Sequence, residues 1–168
     1  MIRKRLALLL AVQWIILLAV FALAKPGKAE ADTETNGGNF MIQAGDGFTV
    51  ALRHDGTVWT WGLNDKGQLG DGTNSSRNIP LQIGLSNVVS IASGCSHTLA
   101  LTSDGNVWAW GANIDGQLGV GSTDSNMPVP VPGLTDVVAM DAGLAQTAMI
   151  SREPGFGFPF FIGHDNRS

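Results

Sequence analysis

The three histidines are the first candidates for acid–base chemistry, because histidine titrates nearest to neutral pH. His97 directly follows Ser96, a pairing that invites comparison with Ser-His-Asp hydrolases. In the repeat register described below, however, the equivalent positions hold Phe48 and Gln146, so this place accepts residues that do no acid–base chemistry. We therefore predict a hydrogen-bonded or packing role for His97, no catalytic residue, and no enzyme activity. We expect His54 to be exposed just before a turn, and His164 lies in a degenerate tail.

Aspartates recur in two glycine-rich stretches, which raises the question of a metal site. Their spacing differs from the Asp-x-Asp-x-Asp-Gly calcium loop, so we expect solvated carboxylates and no metal. The stretch from Gly67 to Gly72 lacks the Gly-Lys-Ser/Thr of a phosphate loop, so no cofactor is predicted. The single cysteine, Cys95, cannot form an internal disulfide. The aspartates in question are Asp65, Asp71, Asp115 and Asp124.

Composition and charge narrow the class of protein. Hydrophobic residues make up 44% of the 168 residues, and the 22 glycines favour an all-β protein with many tight turns. From Asp32 onward the chain has 13 acidic and 5 basic residues, a balance of about −8. An acidic domain offers no basic surface to bind the phosphate backbone, so nucleic acid is not an expected partner.

Residues 1–31 are typical of an export segment. A basic start precedes the apolar run from Leu6 to Ala24, and Ala29-Glu30-Ala31 is a small-x-small cleavage site. The run is long enough that an uncleaved membrane anchor remains an alternative to a cleaved signal peptide. Either way we predict a secreted or extracytoplasmic body, and it touches a membrane only through residues 1–31 if these are uncleaved. Residues 32–43 change composition abruptly and are predicted to be a linker.

The strongest signal is an internal repeat. Residues 44–92 align without gaps with residues 93–141, 49 positions on, and 21 positions are identical. Each copy contains an apolar run, an Asp-Gly pair and a Val-Trp-x-Trp-Gly run, which together predict a β-hairpin with a type I′ turn. The tryptophans of each pair fall on one face of a strand, where we expect packing rather than a stacking platform for sugars or bases. A proline-bearing edge strand and a further strand complete each copy.

These motifs resemble the repeat of the regulator of chromosome condensation family. The residues that carry the resemblance are Gly-x-x-His-Thr-x-Ala-Leu, Asp-Gly-x-Val-Trp-x-Trp-Gly and Asn-x-x-Gly-Gln-Leu-Gly, best matched from Gly94 to Gly121 and then from Gly45 to Gly72. The likeness covers roughly residues 44–150 and implies a seven-bladed β-propeller of four-stranded blades. It also implies two precedents: guanine-nucleotide exchange on a small GTPase, as in the nuclear founder, and secreted bacterial members that include a β-lactamase inhibitor.

The third copy, residues 142–168, decays after Ile150. With one inserted residue, the place of Trp-x-Trp-Gly falls on Phe158-Pro159-Phe160-Phe161, and no Gly-Gln-Leu-Gly follows. We therefore predict an incomplete propeller of about two four-stranded blades plus a partial third, preceded by an N-terminal hydrophobic helix. A propeller hides its strand edges by closing. An incomplete one should be a marginal fold, an assembly that self-associates through exposed blade edges, or a truncated fragment.

The function predicted from these features is a noncatalytic, extracytoplasmic protein-binding module. Its partner is a protein of unknown identity, because loop-rich propeller rims suit protein contacts. One alternative is a regulator of a small GTPase, similar to a guanine-nucleotide exchange factor, and the export segment argues against it. The other alternative is a non-functional truncated propeller fragment. The candidate contact residues lie in two equivalent loops: Asn64, Asp65 and Lys66, and Asn113, Ile114 and Asp115.

Overall fold

The computed structural model describes residues 40–152 and 160–162 of the chain. In these residues, eleven strands form three antiparallel sheets, which we call blades 1, 2 and 3. The predicted all-β fold built on four-stranded antiparallel sheets is confirmed. Blade 1 consists of β1 (Met41–Ala44), β2 (Phe48–Leu52), β3 (Val58–Gly62) and β4 (Arg77–Gln82). Blade 2 consists of β5 (Val88–Ser93), β6 (His97–Thr102), β7 (Val107–Gly111) and β8 (Ser125–Pro130), and blade 3 of β9 (Val137–Ala142), β10 (Thr147–Ser151) and β11 (Phe160–Ile162).

The blades run out of phase with the sequence repeats. All of β5 except Ser93 belongs to the repeat 44–92, yet β5 pairs with β6 and is therefore the first strand of blade 2. Likewise β1 takes residues 41–43 from the segment 32–43 that was predicted to be a linker. The predicted helix in residues 1–31 lies outside the described residues. Within the described ones, no helix is long and apolar enough to cross a membrane.

The Asp-Gly pairs do turn the chain between the second and third strands, but the predicted turn type is wrong. A type I′ turn needs positive φ at both central residues. Gly56 and Gly105 have φ values of 77° and 82°, whereas neither preceding aspartate has a positive φ. In blade 1, Leu52 pairs with Val58, so the loop is longer than two residues. A single left-handed glycine in a longer loop therefore closes each hairpin.

The gapless alignment of the two repeats is wrong at the fourth strand of each blade. β4 begins at Arg77 and β8 at Ser125, one residue earlier than a uniform spacing would place it. The loop before β8 is one residue shorter than the loop before β4, and the connection after β8 is one residue longer. The shift brings Pro80 into register with Pro128. The difference of one residue is therefore confined to the two connections that flank β8.

The blades stack through apolar faces. Blade 1 contributes β2 and β3 side chains and the loop residue Leu69 to a buried cluster, and blade 2 covers them with Ile91, Ala100 and Trp110. Trp110 is fully buried, which confirms its predicted packing role. A second cluster joins blade 2 to blade 3 and includes Leu118. Full burial of one such side chain stabilises the fold by roughly 1.5–3 kcal/mol.

In blade 3, the strand pairing shows which residues occupy the positions of the two tryptophans. Thr147 lies opposite Ile162 and Met149 lies opposite Phe160. In blade 2 the same two places are taken by Trp110 and Trp108, opposite Thr98 and Ala100. Phe160 and Ile162 therefore hold the two tryptophan positions, and the predicted assignment of Phe158 and Phe160 is wrong by two residues.

Candidate functional site

The predicted contact loops connect β3 to β4 (residues 63–76) and β7 to β8 (residues 112–124), and each is organised by an asparagine. The Asn64 Oδ1 accepts a hydrogen bond of 3.0 Å from the Leu69 backbone N–H. Its Nδ2 donates to the Asp71 carboxylate at 3.2 Å and to the Thr73 carbonyl at 3.0 Å. Loop backbone groups that face inward need partners, and this one amide supplies several of them. The sequence folds locally around that side chain.

The second loop repeats this arrangement. The Asn113 Oδ1 accepts from the Leu118 N–H at 3.0 Å, and its Nδ2 donates to the Val120 carbonyl at 2.7 Å. Gln117 ties down the tip of the loop, because its Oε1 accepts a hydrogen bond of 3.0 Å from the Asp115 N–H. Leu118 is fully buried and anchors the loop in the core. The same asparagine-centred hydrogen bonds therefore hold both loops against the core.

The structure corrects two of the six predicted contact residues. Asn64 is 0% exposed and Asn113 is 1% exposed, so neither side chain can reach a partner. A signal in the sequence could have found this: both repeats have asparagine at this place, whereas the next two positions differ between them. Burial explains the identity, because only a short amide both accepts and donates there. The four remaining candidates have exposed side chains: Asp65, Lys66, Ile114 and Asp115.

The two loops meet at a shallow groove of about 420 Å³, which we call the rim groove. Ile114 lines it and is 86% exposed. Lys66 reaches the groove from the loop of blade 1, and Asp124 lines it from the loop of blade 2. The structure thus brings one member of each predicted loop to the same site. Its remaining lining is small or polar: Ala112, Ser122 and Thr123.

A larger groove of about 550 Å³ runs between blades 1 and 2. Half-buried Trp108 lines it, together with the carboxylates Asp71 and Asp104, and no lysine or arginine takes part. Hydrogen bonds from the side chains of Thr102 and Asn106 hold the pKa of the Asp104 carboxyl below its usual value. The Asp71 side chain is only 4% exposed and lies 3.9 Å from the Arg77 guanidinium, so in the described part of the chain Asp104 is the carboxylate that faces the groove without a cation beside it.

The histidine that suggested acid–base chemistry is a buried packing residue. His97 is 0% exposed, and its Nε2 lies 3.1 Å from the Thr147 hydroxyl. Burial lowers the pKa of His97 to about 4, so the ring is neutral at neutral pH. The hydrogen-bonded, packed role predicted for it is confirmed. His54 is exposed as predicted, and His164 lies outside the described residues.

Metal chemistry has no support in the same part of the chain. Across residues 40–152, no three histidine, cysteine or acidic side chains are grouped so that they could hold a metal ion. Cys95 is a free, half-buried thiol between β5 and β6. The two loops present a mixed apolar and charged surface at the rim.

Solved structures that resemble this fold include the following three. Human WBSCR16 matches with 26% identity and a TM-score of 0.67, over 76% of this chain and 33% of that protein. Prp20p from Saccharomyces cerevisiae matches with 26% identity and a TM-score of 0.65, over 76% and 31%. Yeast RCC1 (Prp20) in its complex with Kap60 matches with 27% identity and a TM-score of 0.63, over 76% and 30%. The chain therefore spans about a third of the length of these proteins.

The repeat itself decides the family. A family model of the regulator of chromosome condensation (RCC1) repeat matches residues 55–101 and 104–150, and a second model of this repeat matches residues 88–117. These matches cover more than half of the chain, and they confirm the resemblance that the tryptophan and Gly-Gln-Leu-Gly motifs indicated. The chain belongs to the regulator of chromosome condensation (RCC1) repeat family.

Proposed function

We propose that this chain is a noncatalytic protein-binding module that acts outside the cytoplasm and holds its partner at the rim groove. The observation that carries the proposal is Ile114, a large apolar side chain that is 86% exposed on a loop held by the Asn113 and Gln117 side chains. The aligned position in the first repeat is Asp65, so the loop itself does not require an apolar residue there. An exposed apolar side chain on a loop that could do without it suits a contact with another protein.

The charges around Ile114 indicate the chemistry of the partner. Asp65, Asp115 and Asp124 are exposed on the same two loops, and Lys66 is the one lysine or arginine among residues 63–76 and 112–124. A partner surface with an apolar pocket framed by basic side chains would complement this pattern. Such rim charges chiefly speed association, so binding should slow at high ionic strength.

The compartment is inferred from residues 1–31, which resemble an export segment. A reporter fused after Ser168 tests this part of the proposal by itself. Alkaline phosphatase, which is active outside the bacterial cytoplasm, should be active in the fusion. A fusion that is active only with a cytosolic reporter would refute the extracytoplasmic setting and leave the rim contact to be judged separately.

The rim contact is tested by capture with matched variants. The tagged protein is incubated with the extracytoplasmic fraction of the producing organism, and bound proteins are quantified by mass spectrometry. Ile114→Asp should lose the partner, because it places a desolvated charge in an apolar contact. Ile79→Asp is the control, since Ile79 is 71% exposed on the edge strand β4, outside the rim groove. Equal capture by both variants would overturn the assignment.

A second candidate is regulation of a small GTPase. It is favoured by the likeness to Prp20p, a protein characterised for binding to Gsp1p and histones. That likeness covers 31% of Prp20p. Nucleotide exchange on a panel of small GTPases, measured with a fluorescent guanine nucleotide, separates the two. Acceleration by this chain would favour the second candidate, and unchanged exchange together with rim-dependent capture would favour the first.

A further inference from the structure

The turn between β2 and β3 of blade 1 holds a cation that belongs to the chain itself. The Arg53 Nη1 lies 3.6 Å from the Asp55 Oδ2, and the Arg53 Cζ lies 6.0 Å from the centre of the Trp59 ring. An indole ring attracts a cation at this distance, and the carboxylate adds a charge of opposite sign. Blade 1 therefore shows what an aspartate and a tryptophan at these two places bind, namely a guanidinium group.

Blade 2 keeps the aspartate and the tryptophan of this arrangement but lacks the arginine. The turns before β3 and β7 have the same length and the same pairing at their ends. In blade 2 the aspartate is Asp104 and the tryptophan is Trp108, each 49 positions on. The place of Arg53 is held by Thr102, which is 7% exposed and donates its hydroxyl to the Asp104 carboxylate. Blade 2 thus repeats the two binding groups without the internal cation.

Other cations in the described residues leave this pair unmatched. Two ion pairs occur among residues 40–152, and Asp104 belongs to neither. Arg152 borders a neighbouring groove together with Asp104 but forms no ion pair with it. The one cation that lies over an aromatic ring in the same residues is at Trp59, so Trp108 has none. Hydrogen bonds from Thr102 and Asn106 keep the pKa of Asp104 low, so its charge is present at neutral pH.

Both groups line the groove of about 550 Å³ between blades 1 and 2, which we call the inter-blade groove. Trp108 is half-buried, because it packs on the core cluster of blade 1 and also borders the groove. The groove is much larger than one guanidinium group, so it has room for the residues that flank an arginine in a peptide. Its blade 1 side offers exposed amides and a hydroxyl that suit a peptide backbone: Gln82, Ser86 and Asn87.

We propose that the inter-blade groove binds an arginine side chain of another protein, with the guanidinium held by the Asp104 carboxylate and the Trp108 ring. Arginine fits these two groups better than lysine, because its planar guanidinium stacks on an indole and donates paired hydrogen bonds to a carboxylate. Of the described residues, none lines both this groove and the rim groove. The proposal therefore stands independently of the function proposed for the rim.

The test uses the full ¹⁵N-labelled protein and the probe acetyl-Gly-Arg-Gly-amide, which has one guanidinium group and no carboxylate. The indole N–H signal of Trp108 is identified by its loss in Trp108→Phe. Addition of the probe should move this signal until it saturates. A matched probe with citrulline, which has nearly the shape of arginine but no charge, should leave the signal in place.

Two matched variants assign the binding to this groove. Asp104→Ser keeps a short side chain with an oxygen for the turn but removes the charge, so it should weaken binding of the arginine probe roughly fivefold. Asp55→Ser is the control, because Asp55 holds the same place in blade 1 beside the chain's own Arg53. This control should leave the affinity for the probe unchanged.

Four results would overturn the proposal. The first two are a Trp108 signal that the arginine probe does not move and an equal movement with the citrulline probe. The third is an equal loss of affinity in Asp104→Ser and Asp55→Ser. The fourth is free arginine that binds as tightly as the peptide probe, which would assign the groove to a small molecule instead of a protein.

Discussion

His97 should make the stability of the fold fall between neutral and mildly acidic pH. Its pKa is about 4 in the folded protein against 6.5 for an ordinary histidine, because the ring is buried. The unfolded chain therefore binds more protons than the folded chain between these values, and lower pH favours unfolding. Stability that is fully present above pH 6.5 is lost as the pH falls towards 4. The full difference is about 3 kcal/mol, and about 2 kcal/mol of it should be lost between about pH 7.5 and about pH 5.

Urea unfolding followed by tryptophan fluorescence measures this loss at the two pH values. His97→Gln and His97→Phe are the matched variants, because Gln146 and Phe48 hold the equivalent places in the other repeats. Neither replacement titrates, so each variant should lose about 2 kcal/mol less than the parent over this range. A parent protein whose stability does not change, or variants that lose as much as the parent, would refute the buried neutral imidazole.

Four substitutions test the scaffold of the site. Leu69→Ala should lower the free energy of unfolding by about 3 kcal/mol, because its fully buried side chain would leave a cavity between blades 1 and 2. Asn113→Ala should cost about 2 kcal/mol, since buried loop groups lose their hydrogen bonds. Gly111→Ala should prevent folding by circular dichroism, because its φ is 104° and a Cβ would lie 2.4 Å from the Ser96 carbonyl oxygen. Ile114→Asp should change stability by less than about 0.5 kcal/mol in thermal unfolding.

For each of these four substitutions, one outcome would contradict the prediction. A Leu69→Ala protein as stable as the parent would mean that blades 1 and 2 do not share a packed core. An Asn113→Ala protein of parental stability would refute the organising role of the asparagine, and a folded Gly111→Ala protein would refute the close approach of β7 to the turn before β6. A large loss of stability in Ile114→Asp would show that this side chain supports the fold.

The repeat made most of the fold predictable from sequence. Strand β7 could be placed because Trp108 and Trp110 lie at alternate positions and recur as Trp59 and Trp61, and period-two spacing on a strand puts both on one face. Sequence could not say which pair is covered. That depends on which blade stacks on which, and Trp110 is buried only because blade 1 lies against it.

The candidate site was only half predictable, for a physical reason. Polar residues in glycine-rich loops usually face water, yet Asn64 and Asn113 turn inward because the loop backbone needs their amides. Sequence alone also could not give the side-chain neighbours of Ile114, since the rim groove forms where loops of two blades meet. The shift in register at Pro80 and Pro128 was visible in principle, because a gap of one residue aligns the two prolines.

Site-specific photocrosslinking can show whether this repeat protein binds another protein through the rim groove. Benzoylphenylalanine replaces Ile114 in one protein and Ile79 in a control, and both are irradiated in the extracytoplasmic fraction of the producing organism. We expect one dominant crosslinked polypeptide at position 114, which is lost when the unmodified parent protein competes, and none of it at position 79. No crosslink at position 114, or the same polypeptides at both positions, would contradict it.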